Sequence, residues 1–122
     1  MKLLLYVVLF FFSLNLYGDE MLKPCPDSPN CYKTSISYNK KIMQAKNAVS
    51  EMGGKIVDSN NDYIHALFTS MFFKFVDDFE LKLTENHLHI RSSSRAGYYD
   101  FGANKRRINQ FIGLVDNKIS RV

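Results

Sequence analysis

The side chains with chemistry to offer gather in two places along the sequence. Asp77 and Asp78 are adjacent carboxylates, and the stretch from Ser94 to Arg107 carries Arg95, Tyr98, Asp100, Asn104 and Arg107, with Arg91 shortly before it. Guanidinium groups recognise carboxylate or phosphate through charge-assisted, often bidentate hydrogen bonds, and a desolvated carboxylate can act as a general base. The candidate binding residues are therefore Asp77, Asp78, Arg91, Arg95, Tyr98, Asp100, Asn104 and Arg107, with Tyr98 and Tyr99 as an aromatic rim. The junction containing Gly97 and Gly102 reads as a strand end, a turn and the start of a helix. Such a corner is either a structural lock or a ligand site.

The positioning elements follow from periodicity. Lys74 to Thr84 and His87 to Arg95 read as strands joined by a two-residue turn at Glu85-Asn86. This register sets Leu83 opposite Leu88, Leu81 opposite Ile90, Glu80 opposite Arg91 and Asp77 opposite Ser94. One face then carries Phe75, Asp77, Phe79, Leu81 and Leu83 with Leu88, Ile90, Ser92 and Ser94, a core surface that becomes polar toward Asp77. The other carries Asp78, Glu80 and Lys82 against His89, Arg91, Ser93 and Arg95, with Asp78 diagonal to both Arg91 and Arg95. Adjacent strand residues point to opposite faces, so Asp77 and Asp78 cannot form a carboxylate dyad. Asp77, on the apolar side, needs donors or a cation.

Two further strands are expected at Lys55–Ser59 and Tyr63–Ser70, where Tyr63, His65 and Leu67 form a candidate docking patch. A helix over residues 39–52 presents Ile42, Ala45, Val49 and Met52, with Asn39 or Ser37 as its cap and Gly53-Gly54 as its end. A second helix, capped by Asp100, presents Phe101, Ile108, Phe111, Ile112, Val115 and Ile119. Asn104 falls within that stripe and Arg107 on its flank, while Arg106 points to solvent. Asp77, Ser94, Asp100 and Asn104 are thus expected to meet at one end of the core, with Arg95 or Arg107 reaching in.

The first 18 residues pair Lys2 with an apolar run from Leu3 to Leu14, broken only by Ser13, and end at Gly18. This is the pattern of a secretory signal peptide, with an uncleaved anchor as the alternative. The expected location is periplasmic or secreted, or membrane-anchored through residues 1–18. Cys25 and Cys31 flank two prolines and turn-forming Asp27, Ser28 and Asn30, so in an oxidising compartment a disulfide is expected. A redox pair would lack the two-residue spacing that tunes thiols, and zinc would need two more ligands from three histidines. No metal and no cofactor is expected.

At 122 residues there is room for one core, and 46% hydrophobic content excludes a disordered chain. A net charge of +4 is mild, and the basic residues interleave with acids, which disfavours nucleic acid as a partner. No Ser-His-Asp order, metal-ligand spacing or phosphate-cradling loop is present.

Four segments in order carry a family resemblance: Cys25-Pro26-Asp27-Ser28-Pro29-Asn30-Cys31, Phe75-Val76-Asp77-Asp78-Phe79-Glu80, Arg91 to Gly97, and Asp100-Phe101-Gly102-Ala103-Asn104-Lys105-Arg106-Arg107. Together they resemble the domain-of-unknown-function 1499 family of exported bacterial and plastid-related proteins. The chain departs from the pattern at Tyr32 and Lys33, where small residues usually follow the second cysteine. The resemblance implies no activity.

The sequence thus reads as an α+β protein, with a signal segment over 1–18, an extended arm with a disulfide loop over 19–36 and one domain over 37–122. Four antiparallel strands lie between two helices that pack on one face of the sheet. The function expected is a non-catalytic binding or accessory module that takes a small anionic ligand or an envelope protein through the Arg/Asp/Asn junction. The alternatives are an envelope docking subunit and a hydrolase using Asp77 or Asp78.

Overall fold

Alternating inward and outward side chains, interrupted by a register shift between Ile56 and Asp58, build five strands. In the computed structural model, which describes residues 21–97 and 100–116, these are β1 (Cys31–Ser37), β2 (Lys55–Ser59), β3 (Tyr63–Thr69), β4 (Val76–Leu83) and β5 (His87–Ser94). Helix α1 (Ile42–Glu51) follows β1, and α2 (Ala103–Val115) follows β5. All neighbours are antiparallel, in the order β1-β5-β4-β3-β2.

The fifth strand corrects the expectation of four. All of Cys31–Ser37 but Ser37 lies in the segment assigned to the extended arm, yet Tyr32, Thr34 and Ile36 pair with Ser92, Ile90 and Leu88 and continue the core face. The alternation was present in the sequence. Lys33, Ser35 and Ser37 between these residues made the segment look like polar linker.

The β4–β5 register is as expected: Asp77 faces Ser94, Glu80 faces Arg91, Leu81 faces Ile90 and Leu83 faces Leu88. Thr84 N–H donates to His87 O at 2.9 Å across the two-residue turn. Fully buried Ile64, Ala66, Phe79, Leu81, Leu88 and Ile90 on the sheet meet Ala45 and Val49 of α1 and Ile108 and Phe111 of α2. Phe79 packs edge-on against both Phe68 and Phe111, at centroid distances of 5.6 and 5.5 Å.

Three local expectations need correction. Phe75 precedes β4 and is exposed; it stacks on Phe73 instead of joining the core. Phe101 is exposed as well, because its φ of 53° and the φ of 77° at Gly102 turn the chain before α2 begins. Neither Asn39 nor Ser37 caps α1, whose N-cap position is Lys41, without a side-chain cap.

Two glycines carry the exit from α1. Gly53 sits at φ 90°, and a Cβ on Gly54 would lie 2.7 Å from the Phe68 ring and 2.8 Å from Val49 Cγ1. The α1 end can therefore close onto β3 only with a bare backbone at Gly54. The candidate signal segment, Tyr98, Tyr99 and Ile119 lie outside the described residues.

Candidate functional site

The sheet sorts the candidate residues onto two faces, and the two groups do different things. On the helix side, Asp77 Oδ2 lies 2.9 Å from Arg107 Nη2, and the Arg107 guanidinium rests 4.8 Å above the Phe68 ring. Arg107 Nη1 also donates to Ser92 Oγ and to Asn104 Oδ1, at 3.2 and 3.1 Å. Of the two arginines expected to reach in, Arg107 does so.

Asn104 is the hub of this corner and is fully buried. Its Oδ1 accepts from Ser92 Oγ at 2.6 Å, and its Nδ2 is shared among Asp100 Oδ2, Ser94 Oγ and the Asn30 carbonyl at 2.7, 2.9 and 3.0 Å. Asp100 accepts from Gly102 N–H at 2.8 Å and Asn104 N–H at 3.2 Å, so it satisfies the start of α2 from two residues outside the N-cap position, which Gly102 occupies. Burial alone would raise the Asp100 carboxyl, but the hydrogen bonds from Asn104 and from the Gly102 and Asn104 N–H groups outweigh it and hold it below the ordinary value. Every side chain of this corner spends its polar atoms on another part of the chain. Asp77, Asp100, Asn104 and Arg107 thus lock β4 and β5 to α2 and to the disulfide loop.

That loop was not anticipated as a participant. Cys25 and Cys31 are bonded, as expected, and Asn30 between them lends its carbonyl to Asn104 and to Ser94 N–H while its own amide donates to Gly97 O at 2.6 Å. Backbone carbonyls leave no trace in residue type, so only the turn chemistry around Asn30 hinted at the contact.

The outer face holds Asp78, Arg91 and Arg95. Arg95 grips Asp78 with two parallel bonds, Nε to Oδ2 at 2.8 Å and Nη2 to Oδ1 at 2.9 Å, and His65 Nε2 reaches the same Oδ1 at 2.7 Å. The Arg95 guanidinium, followed by His65, pulls the Asp78 carboxyl below its ordinary range despite partial burial. Arg91 Nη1 lies 3.5 Å from Glu80 Oε1 and 3.0 Å from Ser93 Oγ. Tyr63 Oη donates to Glu80 Oε2 at 2.6 Å, and burial with that bond raises the phenol well above its ordinary value. Lys82, almost completely buried, reaches Asp62 Oδ2 at 2.9 Å.

This face is not open along its full width. The chain ahead of the disulfide crosses it: Leu22 is buried, and Lys33 Nζ donates to the Leu22 carbonyl at 2.9 Å. Between this arm and the sheet lies a cleft of about 810 Å³, lined by Met21, Leu22 and Lys23 on one side and by Tyr63, His65, Asp78, Glu80, Lys82 and Arg91 on the sheet. Arg91 Nε is buried there and meets no acceptor among the described residues. Lys82, read from the alternation as an outer-face residue, is buried there, and Leu22 is not marked by any periodicity. Leu22 is one of two apolar residues between Glu20 and Cys25, which was the available signal.

Residues 21–114 match the family model described as protein of unknown function (DUF1499). The chain belongs to that family. The match runs from the arm at Met21 to Leu114 near the end of α2, so the arm that walls the cleft lies within the DUF1499 domain. No curated protein matches the chain. Among the described residues of the domain, no cluster of three His, Cys, Asp or Glu side chains could hold a metal ion, and no helix is long and apolar enough to cross a membrane.

The geometry limits what chemistry Asp77 and Asp78 can perform. Asp77 is bound to Arg107 behind the sheet, and a carboxylate lowered by Arg95 is a weak base at Asp78. His65 is hydrogen-bonded to Asp78, but no hydroxyl or thiol among the described residues is bonded to His65 to serve as a nucleophile.

Proposed function

We propose that this domain is an exported, non-catalytic binding module whose ligand site is the cleft between the N-terminal arm and the outer face of the sheet. The observation that carries this reading is Arg91, whose guanidinium lines a cleft walled by ionised side chains and meets Glu80 at only 3.5 Å. A partly buried guanidinium held this loosely can turn charge-assisted hydrogen bonds toward a ligand oxygen. The ligand is a small molecule with a carboxylate or phosphate for Arg91 and with donors for Glu80 and Asp78. Those carboxylates make a purely anionic ligand a poorer match than one that also carries hydroxyl or ammonium groups.

Asp77, Asp100, Asn104 and Arg107, candidates by residue type, belong in this reading to the lock that holds the sheet rigid behind the cleft. Export is supported by the apolar run from Leu3 to Leu14 and by the Cys25–Cys31 bond, which persists in oxidising compartments.

The test compares melting temperatures of the protein and of Arg91→Ala with inorganic phosphate, dicarboxylates, amino acids and sugar phosphates. A ligand that raises the melting temperature of the parent but not of Arg91→Ala supports the site. If no compound shifts the parent, or if Arg91→Ala responds equally, the cleft is not the binding site.

A further inference from the structure

The connection between β3 and β4 presents its side chains the wrong way round for a soluble loop. Met71, Phe72 and Phe73 are 82%, 89% and 75% exposed, and Phe75 is half exposed. These residues are held out by design of the backbone. Ser70 N–H donates to Phe75 O and Phe75 N–H to Ser70 Oγ, at 2.9 and 3.0 Å, so the loop is pinched shut at its base. Lys74 takes a left-handed φ of 55° just before Phe75, and Phe73 stacks on Phe75 at 5.6 Å. A pinched, convex loop offers apolar side chains without a recess for a partner's side chain. It is shaped to enter a soft apolar phase.

The charges at this end of the sheet select the phase. Thr69 pairs with Val76 and Asp77 with Ser94, so the loop lies at the same end as the start of α2. Three of the carboxylates there are already engaged, Asp77 by Arg107, Asp78 by Arg95 and His65, and Asp100 by the α2 N–H groups, while Asp27 in the disulfide loop forms no ion pair among the described residues. Among the described residues, Lys74, Lys105 and Arg106 form no ion pair. Lys105 sits over the Tyr32 ring and Arg106 donates to the Phe101 carbonyl, so neither is matched by a carboxylate. Apolar side chains flanked by uncompensated cations match a bilayer bearing anionic headgroups.

We propose that residues 71–75 form a membrane-insertion loop that seats Met71, Phe72 and Phe73 in the interface of an anionic bilayer, with Lys74 at headgroup level. The loop lies at the opposite end of the sheet from the Asn60–Tyr63 turn beside Met21.

The chain contains no tryptophan, so Phe72→Trp is a local reporter that works in the full-length protein whether or not residues 1–18 are embedded. Met43→Trp, at an exposed position on α1, is the control. On vesicles of phosphatidylglycerol and phosphatidylcholine with brominated acyl chains, Phe72→Trp emission moves to the blue and is quenched, while Met43→Trp does neither. Adding Lys74→Ala weakens the response by roughly fivefold. Unchanged Phe72→Trp emission on anionic vesicles overturns the proposal and leaves the loop as a surface for protein. Equal quenching of both reporters, or an equal response on phosphatidylcholine alone, overturns it too.

Discussion

Asp77 and Arg107 meet at 2.9 Å beneath the sheet, a nearly buried ion pair that ties the start of β4 to the second turn of α2. Removing one partner leaves the other charge without compensation, which in comparable settings costs about 3–5 kcal/mol. Arg107→Ala should therefore lower stability by an amount in that range, measured by urea unfolding. The double variant Asp77→Asn with Arg107→Met should recover more than half of the loss. A cost below about 1 kcal/mol for Arg107→Ala, the range of solvated pairs, would show that the corner does not lock the fold.

Acid should act on the carboxyls at both faces. Asp78 and Asp100 are held below their ordinary value of 3.8 in the folded protein. A carboxyl depressed in the folded state stabilises fully above its unfolded pKa, and that contribution disappears as pH falls through the lower folded value. Melting temperature should thus hold steady from neutrality to about pH 5 on account of these groups and fall steeply below pH 4. In Asp100→Asn the acid-induced fall should be shallower. An unchanged slope would remove Asp100 from the account.

Two glycines should respond with opposite signs to the same substitution. A Cβ at Gly54 would collide with Phe68 and Val49, so Gly54→Ala should destabilise by about 1–3 kcal/mol. Gly113 lies inside α2 with nothing within 4 Å of the added atom, and Gly113→Ala should stabilise by about 0.5–1 kcal/mol. Thermal unfolding of the pair decides the point, and a loss at Gly113 would contradict the helix packing.

Reduction of the Cys25–Cys31 bond should cost about 2 kcal/mol from the freedom returned to so short a loop. The loss should concentrate locally, because Asn30 accepts from both Asn104 and Ser94. Hydrogen exchange should show β1 amides losing protection before those of β3. Uniform loss across the sheet would indicate that the loop acts on global stability alone.

Much of the hairpin geometry was readable because a two-residue turn and an alternating pattern leave only one register. Asn104 announced itself as a polar residue inside an apolar helical stripe, and Asp77 as a carboxylate on a core face; each had to find the other's neighbours. The misreadings have a common cause. Phe75 and Phe101 read as core because they are large and apolar, but backbone turns at Lys74 and Gly102 aim them outward. β1 was passed over because an edge strand with one polar face resembles linker. The arm across the outer face was invisible because its grip is a single leucine and a backbone carbonyl, and periodicity cannot register either.

The position of β1 bears on how the chain folds. Its partner, β5, is the last strand in the sequence: Cys31 faces Ser93 and Ser37 faces His87. The turns joining β2 to β3 to β4 to β5 are short and close rapidly, whereas β1 must wait for a crossing of the whole sheet. During synthesis, the first strand to emerge therefore remains a bare edge bearing Tyr32, Thr34 and Ile36 until the last one arrives. The Cys25–Cys31 bond spans only local residues and can form during that interval. It shortens the conformational search of β1 before β5 exists to receive it.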